Sequence, residues 1–459
     1  MTDNTKDHSR RKGEQNINAR EIVLDMLLEI IENGKFSHTV MNQTLNRYQY
    51  LDKQERAFIS RLCTGTVERY LTLDYRINQV ASLPVKKMKP LIRNLLRLSV
   101  YQIMYMEQIP DSAVCNEAVK LAKKRGFAKL SGFVNAVLRS IIRTNDTFTL
   151  PNREKNPAHY LEIAYSVPQW LVQELISQYG LEQVEAMLSA SMTKKRTSIR
   201  CNRKKISPER LKQQLIQEGV TVEESEYLDY AFYIEGYDYL EKLNAFQKGY
   251  FTVQDVSSQL VCQIAGIKEN DFVVDVCAAP GGKSLHAAET AKLVSARDLT
   301  EYKVLLIEEN KKRLGITNVE TLCWNATELD PNIIGKADVV IADLPCSGLG
   351  ILGKKPDIKY KLTQNQQKDL VELQRKILRT VKDYVKQGGT LIFSTCTVNK
   401  EENIRNREWF LRNFDFESES LDPFLPRQLQ DTNTKNGYIQ LIQGVHDTDG
   451  FFIAKMRRK

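Results

Sequence analysis

A chain of 459 residues with 42% hydrophobic and 27% charged side chains is long enough for two or three domains with ordinary cores, and no apolar run approaches the roughly 18 residues that a membrane helix needs. Its eight cysteines and five histidines form no Cys-x-x-Cys pair and no His cluster, so neither a zinc site nor a disulfide framework is suggested, and no metal is expected. The net charge of +9 is uneven, because residues 1–150 hold 24 Lys and Arg against 15 Asp and Glu while the remainder holds 42 against 42, and a basic excess confined to the first third favours a polyanionic partner, most simply nucleic acid.

The N-terminus is mixed in charge (Asp3, Lys6, Asp7, Arg10, Arg11, Lys12) and lacks the apolar core of a signal peptide, so a cytoplasmic address is expected. Residues 17–143 read as helix after helix. In 17–31, Ile22, Val23, Met26, Leu27, Ile30 and Ile31 have the spacing of one buried face, and Gly34 ends it. Further helical patterns lie at 53–70, 91–106, 112–125 and 133–142. Basic residues (Lys86, Lys87, Lys89, Lys120, Lys123, Lys124, Arg125, Lys129) are interspersed with core positions, and no catalytic cluster is visible. An all-helical binding module over 1–143 is expected. From 144 to 160 the periodicity stops and Asn, Asp and Pro accumulate, as in a linker. Residues 161–253 alternate helices (168–178, 181–192, 208–219) with strands (197–201, 231–234, 250–253), which predicts a small α/β subdomain.

From 254 onward the chain repeats strand, loop and helix in the manner of a doubly wound sheet. Strands are expected at 272–276, 292–297, 319–323, 338–342 and 390–393, with a long helix at 364–385. An antiparallel pair, 438–442 and 451–456, is expected at the sheet's edge. The loop Ala278-Ala279-Pro280-Gly281-Gly282-Lys283 follows the first strand and opens a helix, so its glycines let backbone amides approach a ligand. It is not a Walker loop, because the Gly-x4-Gly-Lys-Ser/Thr spacing is missing. Asp298, at the end of the next strand, suits ribose hydroxyls. A nucleoside-bearing cofactor follows. Cys346 (in Pro345-Cys346-Ser347-Gly348) and Cys396 (in Ser394-Thr395-Cys396-Thr397) each follow an apolar run, so both thiols are predicted at neighbouring strand ends, where open α/β sheets place ligands. Lys354, Lys355, Lys359 and Lys361 beside Cys346 are read as phosphate contacts. Lys382 and Lys386 are read as a solvated face.

Together, Ala278 to Lys283, Asp343-Leu344-Pro345-Cys346-Ser347-Gly348 and Ser394-Thr395-Cys396 resemble the S-adenosylmethionine-dependent RNA cytosine-5 methyltransferases. The helical N-terminal region narrows this to the RsmB (Sun/Fmu) branch, and Phe133 to Arg139, Pro168-Gln169-Trp170-Leu171, Gln254-Asp255 and Asp449-Gly450-Phe451-Phe452 agree with it. The resemblance implies a Rossmann-like catalytic domain (254–459) behind an all-α NusB-like domain and the small α/β subdomain. It implies S-adenosylmethionine as cofactor, a cytosine of small-subunit (16S) rRNA as substrate, Cys396 as nucleophile and Cys346 as release residue. It also implies cofactor contacts from Cys277, Ala278, Ala279, Pro280, Gly281, Gly282, Lys283 and Asp298. Asn325 stands in the place of a usual aspartate beside the adenine, and Asp343 at the cytosine and cofactor. Lys283 lies where its ammonium could lower a thiolate pKa.

Spacing alone does not order the two cysteines, and a Pro-Cys attacks in the related DNA enzymes. Two further readings stay open: the same chemistry on tRNA, and a non-catalytic RNA-binding assembly factor, towards which only Asn325 leans.

Overall fold

The computed structural model describes residues 18–193 and 196–459; the N-terminal charges from Asp3 to Lys12, and Ile17 at the expected start of the first helix, lie outside the described residues. The chain divides into two compact units after Val172.

The first unit is helical. Asn18 caps Ala19–Leu27, its Oδ1 accepting from the Arg20 and Glu21 amides at 3.0 and 3.3 Å, and Asp52 caps Lys53–Glu68 through the Glu55 amide at 2.7 Å, each satisfying an amide the helix leaves open. Pro90 opens the helix Pro90–Tyr105, where its missing N–H costs nothing. Every residue from 94 to 102 of this helix is buried, with Asp111–Lys124 and Ser131–Arg143 among the helices around it. Gly65 permits one of these contacts, because a Cβ there would lie 2.0 Å from the Tyr101 hydroxyl. Two helices are not announced by apolar spacing. Ser37–Arg47 buries only Val40, and Tyr70–Val80 uses Thr72 and Arg76 beside Leu73 and Ile77 on its inner face.

The second unit holds two sheets. β1 (Thr197–Cys201), β2 (Thr221–Glu224), β3 (Ala231–Glu235) and β4 (Phe251–Val253) form an antiparallel sheet in the order β2-β3-β1-β4. β2 escapes a pattern reading because three of its four residues are exposed. The larger sheet contains β5 (Phe272–Asp275), β6 (Leu293–Asp298), β7 (Val319–Cys323), β8 (Ala337–Asp343), β9 (Val385–Thr395), β10 (Phe416–Ser418), β11 (Tyr438–Leu441) and β12 (Phe451–Arg458), in the order β10-β12-β9-β8-β5-β6-β7, with β11 also on β12. β5 to β9 are parallel to one another, and β12 runs antiparallel to its neighbours.

Two expectations shift. The expected antiparallel pair of β11 and β12 forms, but within it β12 is internal: β9 flanks one side, and β11 and β10 share the other. The long helix is Gln364–Val381 and stops short of Val385, which instead pairs with Ala337 at the start of β9. Val381 and Val385 are four apart, so one spacing served a helix face and a strand start alike. No helix among the described residues is long and apolar enough to cross a membrane, and no group of three or more His, Cys, Asp or Glu among them could hold a metal ion.

Candidate active site

The chain runs from β5 outward to β6 and β7, then crosses to β8 on the other side of β5. The loops after β5 and β8 therefore part at a switch point, where doubly wound sheets bind ligands. After β5, the Ala278 amide donates to the Arg297 carbonyl at 2.8 Å and the Ala279 amide to Asp298 Oδ2 at 2.9 Å, so the loop is tied to the end of β6. Gly281 has φ +102°, a conformation side chains other than glycine rarely adopt. The almost fully buried Asp298 carboxylate also accepts from the Leu299 amide and from Lys303 Nζ at 2.7 and 2.9 Å. Asn325 follows the β7 end that pairs with Asp298. Its Oδ1 accepts from the Thr327 amide and hydroxyl at 3.1 and 2.9 Å, and its Nδ2 donates to Glu328 at 2.8 Å.

The loops after β8 and β9 carry the thiols. They are laced together by the Leu344 amide on the Ser394 carbonyl at 2.9 Å and the Gly350 amide on the Cys396 carbonyl at 3.1 Å. Cys346 Sγ and Cys396 Sγ lie 3.2 Å apart. The bond with Cys396, then burial, then the neighbouring charge of Cys396 push the Cys346 thiol well above its ordinary value. Asp343, the last residue of β8, accepts from Lys283 Nζ at 2.6 Å and from Ser394 Oγ at 2.8 Å. Burial works to lower the Lys283 ammonium, but the Asp343 carboxylate outweighs it and holds it above its ordinary value, with Asp275 and Cys396 adding to the field. Cys277, beside them, is pushed up mainly by burial. The expected residues Lys283, Asp343, Cys346 and Cys396 thus meet at neighbouring strand ends, and Cys277 to Gly282 and Asp298 line the adjacent rim.

Of the four lysines read as phosphate contacts, three are engaged or buried within the fold. Lys354 is held between Asp255 and Asp449 at 2.7 and 2.6 Å, Lys359 is buried, and Lys361 pairs with Asp357 at 2.7 Å. Pattern reading counted their charges without the acids that long-range folding brings to them. Further residues of the site were missed. Ser394 holds Asp343, Asp275 accepts from Ser284 Oγ at 2.6 Å, and Glu402 and Asn403 lie buried behind the thiol loops. An acid ending the apolar run Phe272-Val273-Val274 was a usable signal for Asp275. The run Asn399-Lys400-Glu401-Glu402-Asn403 reads as a solvated turn and gave none.

Known proteins resemble this chain along nearly its whole length. Residues 263–457 match the family described as 16S rRNA methyltransferase RsmB/F, residues 17–143 match the NusB family, and residues 167–238 match the ferredoxin-like domain of RsmF/B-like methyltransferases. The probable ribosomal RNA small subunit methyltransferase B of Bacillus subtilis is 35% identical over 449 residues, covering 96% of this chain and 98% of that protein. The chain belongs to the RsmB/F family of 16S rRNA methyltransferases. A second RsmB relative, from Synechocystis, is 31% identical and covers 96% of this chain and 100% of its own. The crystal structure of PH0851 superposes with a TM-score of 0.79 at 25% identity, covering 96% of this chain and 99% of that one. The RsmB/F architecture of helical NusB-like region, small sheet domain and mixed-sheet methyltransferase domain is therefore the architecture of this chain.

Proposed function

We propose that this protein makes 5-methylcytosine in small-subunit (16S) rRNA, with Cys396 attacking C6 of the base and Cys346 assisting release. C5 of cytosine is a poor nucleophile, and addition of a thiolate at C6 makes it enamine-like. After methylation the C5 proton must leave and the carbon–sulfur bond must break, which calls for a second group. The observation that carries the reading is the 3.2 Å separation of the two sulfurs, which lets both reach one base. Cys396 is assigned the attack on the family resemblance, and its bond with Cys346, together with burial, pushes the Cys346 thiol up. Once Cys396 is bound to C6, its bond and charge no longer act on Cys346, which passes its proton to solvent and becomes a thiolate. Cys346 can then serve as the base that takes the C5 proton while Cys396 is expelled.

The methyl donor is S-adenosylmethionine, whose sulfonium supplies the electrophilic methyl group when bound. The residues present fit it. Cys277, Ala278, Ala279, Pro280, Gly281, Gly282 and Lys283 form a loop closed onto Asp298, whose carboxylate suits ribose hydroxyls if the Lys303 bond yields. Asp343 adds a second carboxylate, favourable to a cationic sulfonium. Asn325 is assigned to the adenine, which requires its local turn to open. Lys283 neutralises Asp343 and brings a positive field to Cys396.

The substrate reading rests on family membership and on the basic excess of residues 1–150. We assign residues 1–143 to RNA docking, 144–160 to a linker, 161–253 to the small subdomain and 254–459 to catalysis. Access to C5 requires the target base to be unstacked. The test is methyl transfer from labelled donor to unmodified 16S rRNA. Cys396→Ala is expected to lose activity by at least about a thousandfold, and Cys346→Ala to accumulate a covalent protein–RNA adduct. Undiminished methylation by Cys396→Ala would sink the nucleophile assignment.

A further inference from the structure

The turn between the Cys396 loop and the helix Ile404–Asn413 carries two neighbouring buried polar residues, Glu402 and Asn403, fully or almost fully out of solvent. They reach in different directions. Glu402 Oε2 accepts from the Ser347 amide at 2.9 Å, and Oε1 accepts from the Ser347 hydroxyl. Ser347 follows Cys346 directly. Gln374 secures the arrangement by donating to Glu402 at 3.0 Å and to the Pro345 carbonyl, on the other side of Cys346, at 2.8 Å. Asn403 turns to the other thiol. Its Oδ1 accepts from the Thr395 hydroxyl at 2.5 Å, and its Nδ2 donates to the Thr397 carbonyl at 2.9 Å and to Gln440 at 2.7 Å. Thr395 and Thr397 flank Cys396. The two loops also meet through the Ser347 and Thr397 hydroxyls at 2.7 Å.

We propose that Glu402 and Asn403 are positioning residues for the methyl-transfer chemistry, Glu402 fixing the loop of Cys346 and Asn403 the loop of Cys396, so that one short turn sets the relation between the two thiols. A buried carboxylate without a cation at hand is costly to keep, and three donors spent on one side of the release thiol are what offsets that cost here. Glu402 also adds negative field at Cys346. A misplacement of about 1 Å between reacting groups costs about a hundredfold in rate, so a brace shared by both loops bears on both chemical steps. The proposal rests on the assignment of Cys396 to attack and Cys346 to release.

That assignment gives the two residues opposite signatures, which a merely structural role would not produce. In the full-length protein with 16S rRNA and labelled donor, Glu402→Gln is expected to lower turnover at least about tenfold and to accumulate covalent protein–RNA adduct, as Cys346→Ala does. Asn403→Ala is expected to lower turnover by a similar factor with little adduct, and to reduce the adduct trapped in a Cys346→Ala background. Ser347→Ala removes the Glu402 hydroxyl bond from its other end, and Asn403→Asp keeps the Thr395 acceptor while losing the Thr397 donor. These serve where the first variants do not fold, with melting temperature as the check. Wild-type turnover, or equal adduct fractions in the 402 and 403 variants while the cysteine variants behave as assigned, overturns the positioning roles alone. Adduct formed by Cys396→Ala but not by Cys346→Ala overturns the assignment itself, and with it the step given to each brace.

Discussion

Each unit of the molecule sets a cation against an aspartate, and the two pairs differ in burial and in what surrounds them. In the helical unit, Arg97 meets Asp74 through two bonds of 2.7 and 2.9 Å, donates to Asn94 at 3.0 Å and stacks on Tyr70 at 4.4 Å. Its side chain is 2% exposed, and protein groups engage each of its guanidinium nitrogens. In the catalytic unit, Lys283 makes one bond of 2.6 Å to Asp343, and the pair is 11% and 26% exposed at the strand ends beside the thiols. A planar fork saturated by its surroundings holds helices together, whereas a point charge with donors to spare is available to a reaction.

The comparison can be broken by the same substitution at each site. Arg97→Met strands Asp74 and is expected to cost about 3–5 kcal/mol of stability while leaving the activity of the folded fraction unchanged. Lys283→Met leaves Asp343 its Ser394 bond and some solvent, so about 1 kcal/mol of stability goes with a loss of about a hundredfold in turnover. Denaturant melts together with methyl transfer per folded molecule measure both. If Lys283→Met keeps its turnover, the distinction between the pairs is wrong.

A smaller effect sharpens it. Gly65→Ala would drive a methyl against Tyr101, 2.0 Å from its hydroxyl, and overpacking of this kind costs about 1–3 kcal/mol. Gly350→Ala would meet the Gly450 carbonyl at 1.8 Å and the Cys396 carbonyl at 2.9 Å. There the expected loss is about tenfold in turnover, because the displaced backbone carries a thiol. Calorimetry on the first variant and adduct formation on the second should respond, each with little change in the other readout.

How much of this was legible in the sequence follows from range. The strands β5 and β8 and the buried end of β9 were readable because buried parallel strands are continuous apolar runs, and the thiols follow two of them. The helix Tyr70–Val80 was not, since Thr72 and Arg76 on its inner face reach partners such as the Ile163 carbonyl at 2.6 Å and the Ile141 carbonyl at 3.1 Å, which local spacing does not reveal. The same blindness misplaced Lys354, whose acids Asp255 and Asp449 lie 99 and 95 residues away. Glu402 and Asn403 fail for a further reason: a polar turn is ordinarily solvated, and only the fold buries this one. Residue type survives in a one-dimensional reading, but the choice of partner does not.

The smallest effect concerns an acid that, unlike Asp74 and Asp343, has no cation committed to it. Asp275 ends β5, is wholly buried and holds the Ser284 hydroxyl. Burial pushes its carboxyl up to about 7, against about 3.9 for an aspartate in an unfolded chain. The folded protein therefore binds this proton more tightly than the unfolded one. Its contribution to stability is full below about pH 4 and lost as the pH rises through about 7. Between pH 6 and 8 the loss from one such group is about 1 kcal/mol. Asp449, raised to about 7 by burial and by Asp255, acts with the same sign in the same window. Asp275→Asn should thus reduce, by about half, the fall in stability that these two acids produce between pH 6 and 8, and Asp275→Asn with Asp449→Asn should remove most of it. Urea melts at the two pH values decide it: a fall as steep in the double variant as in the wild type would mean that neither acid carries its proton into the neutral range.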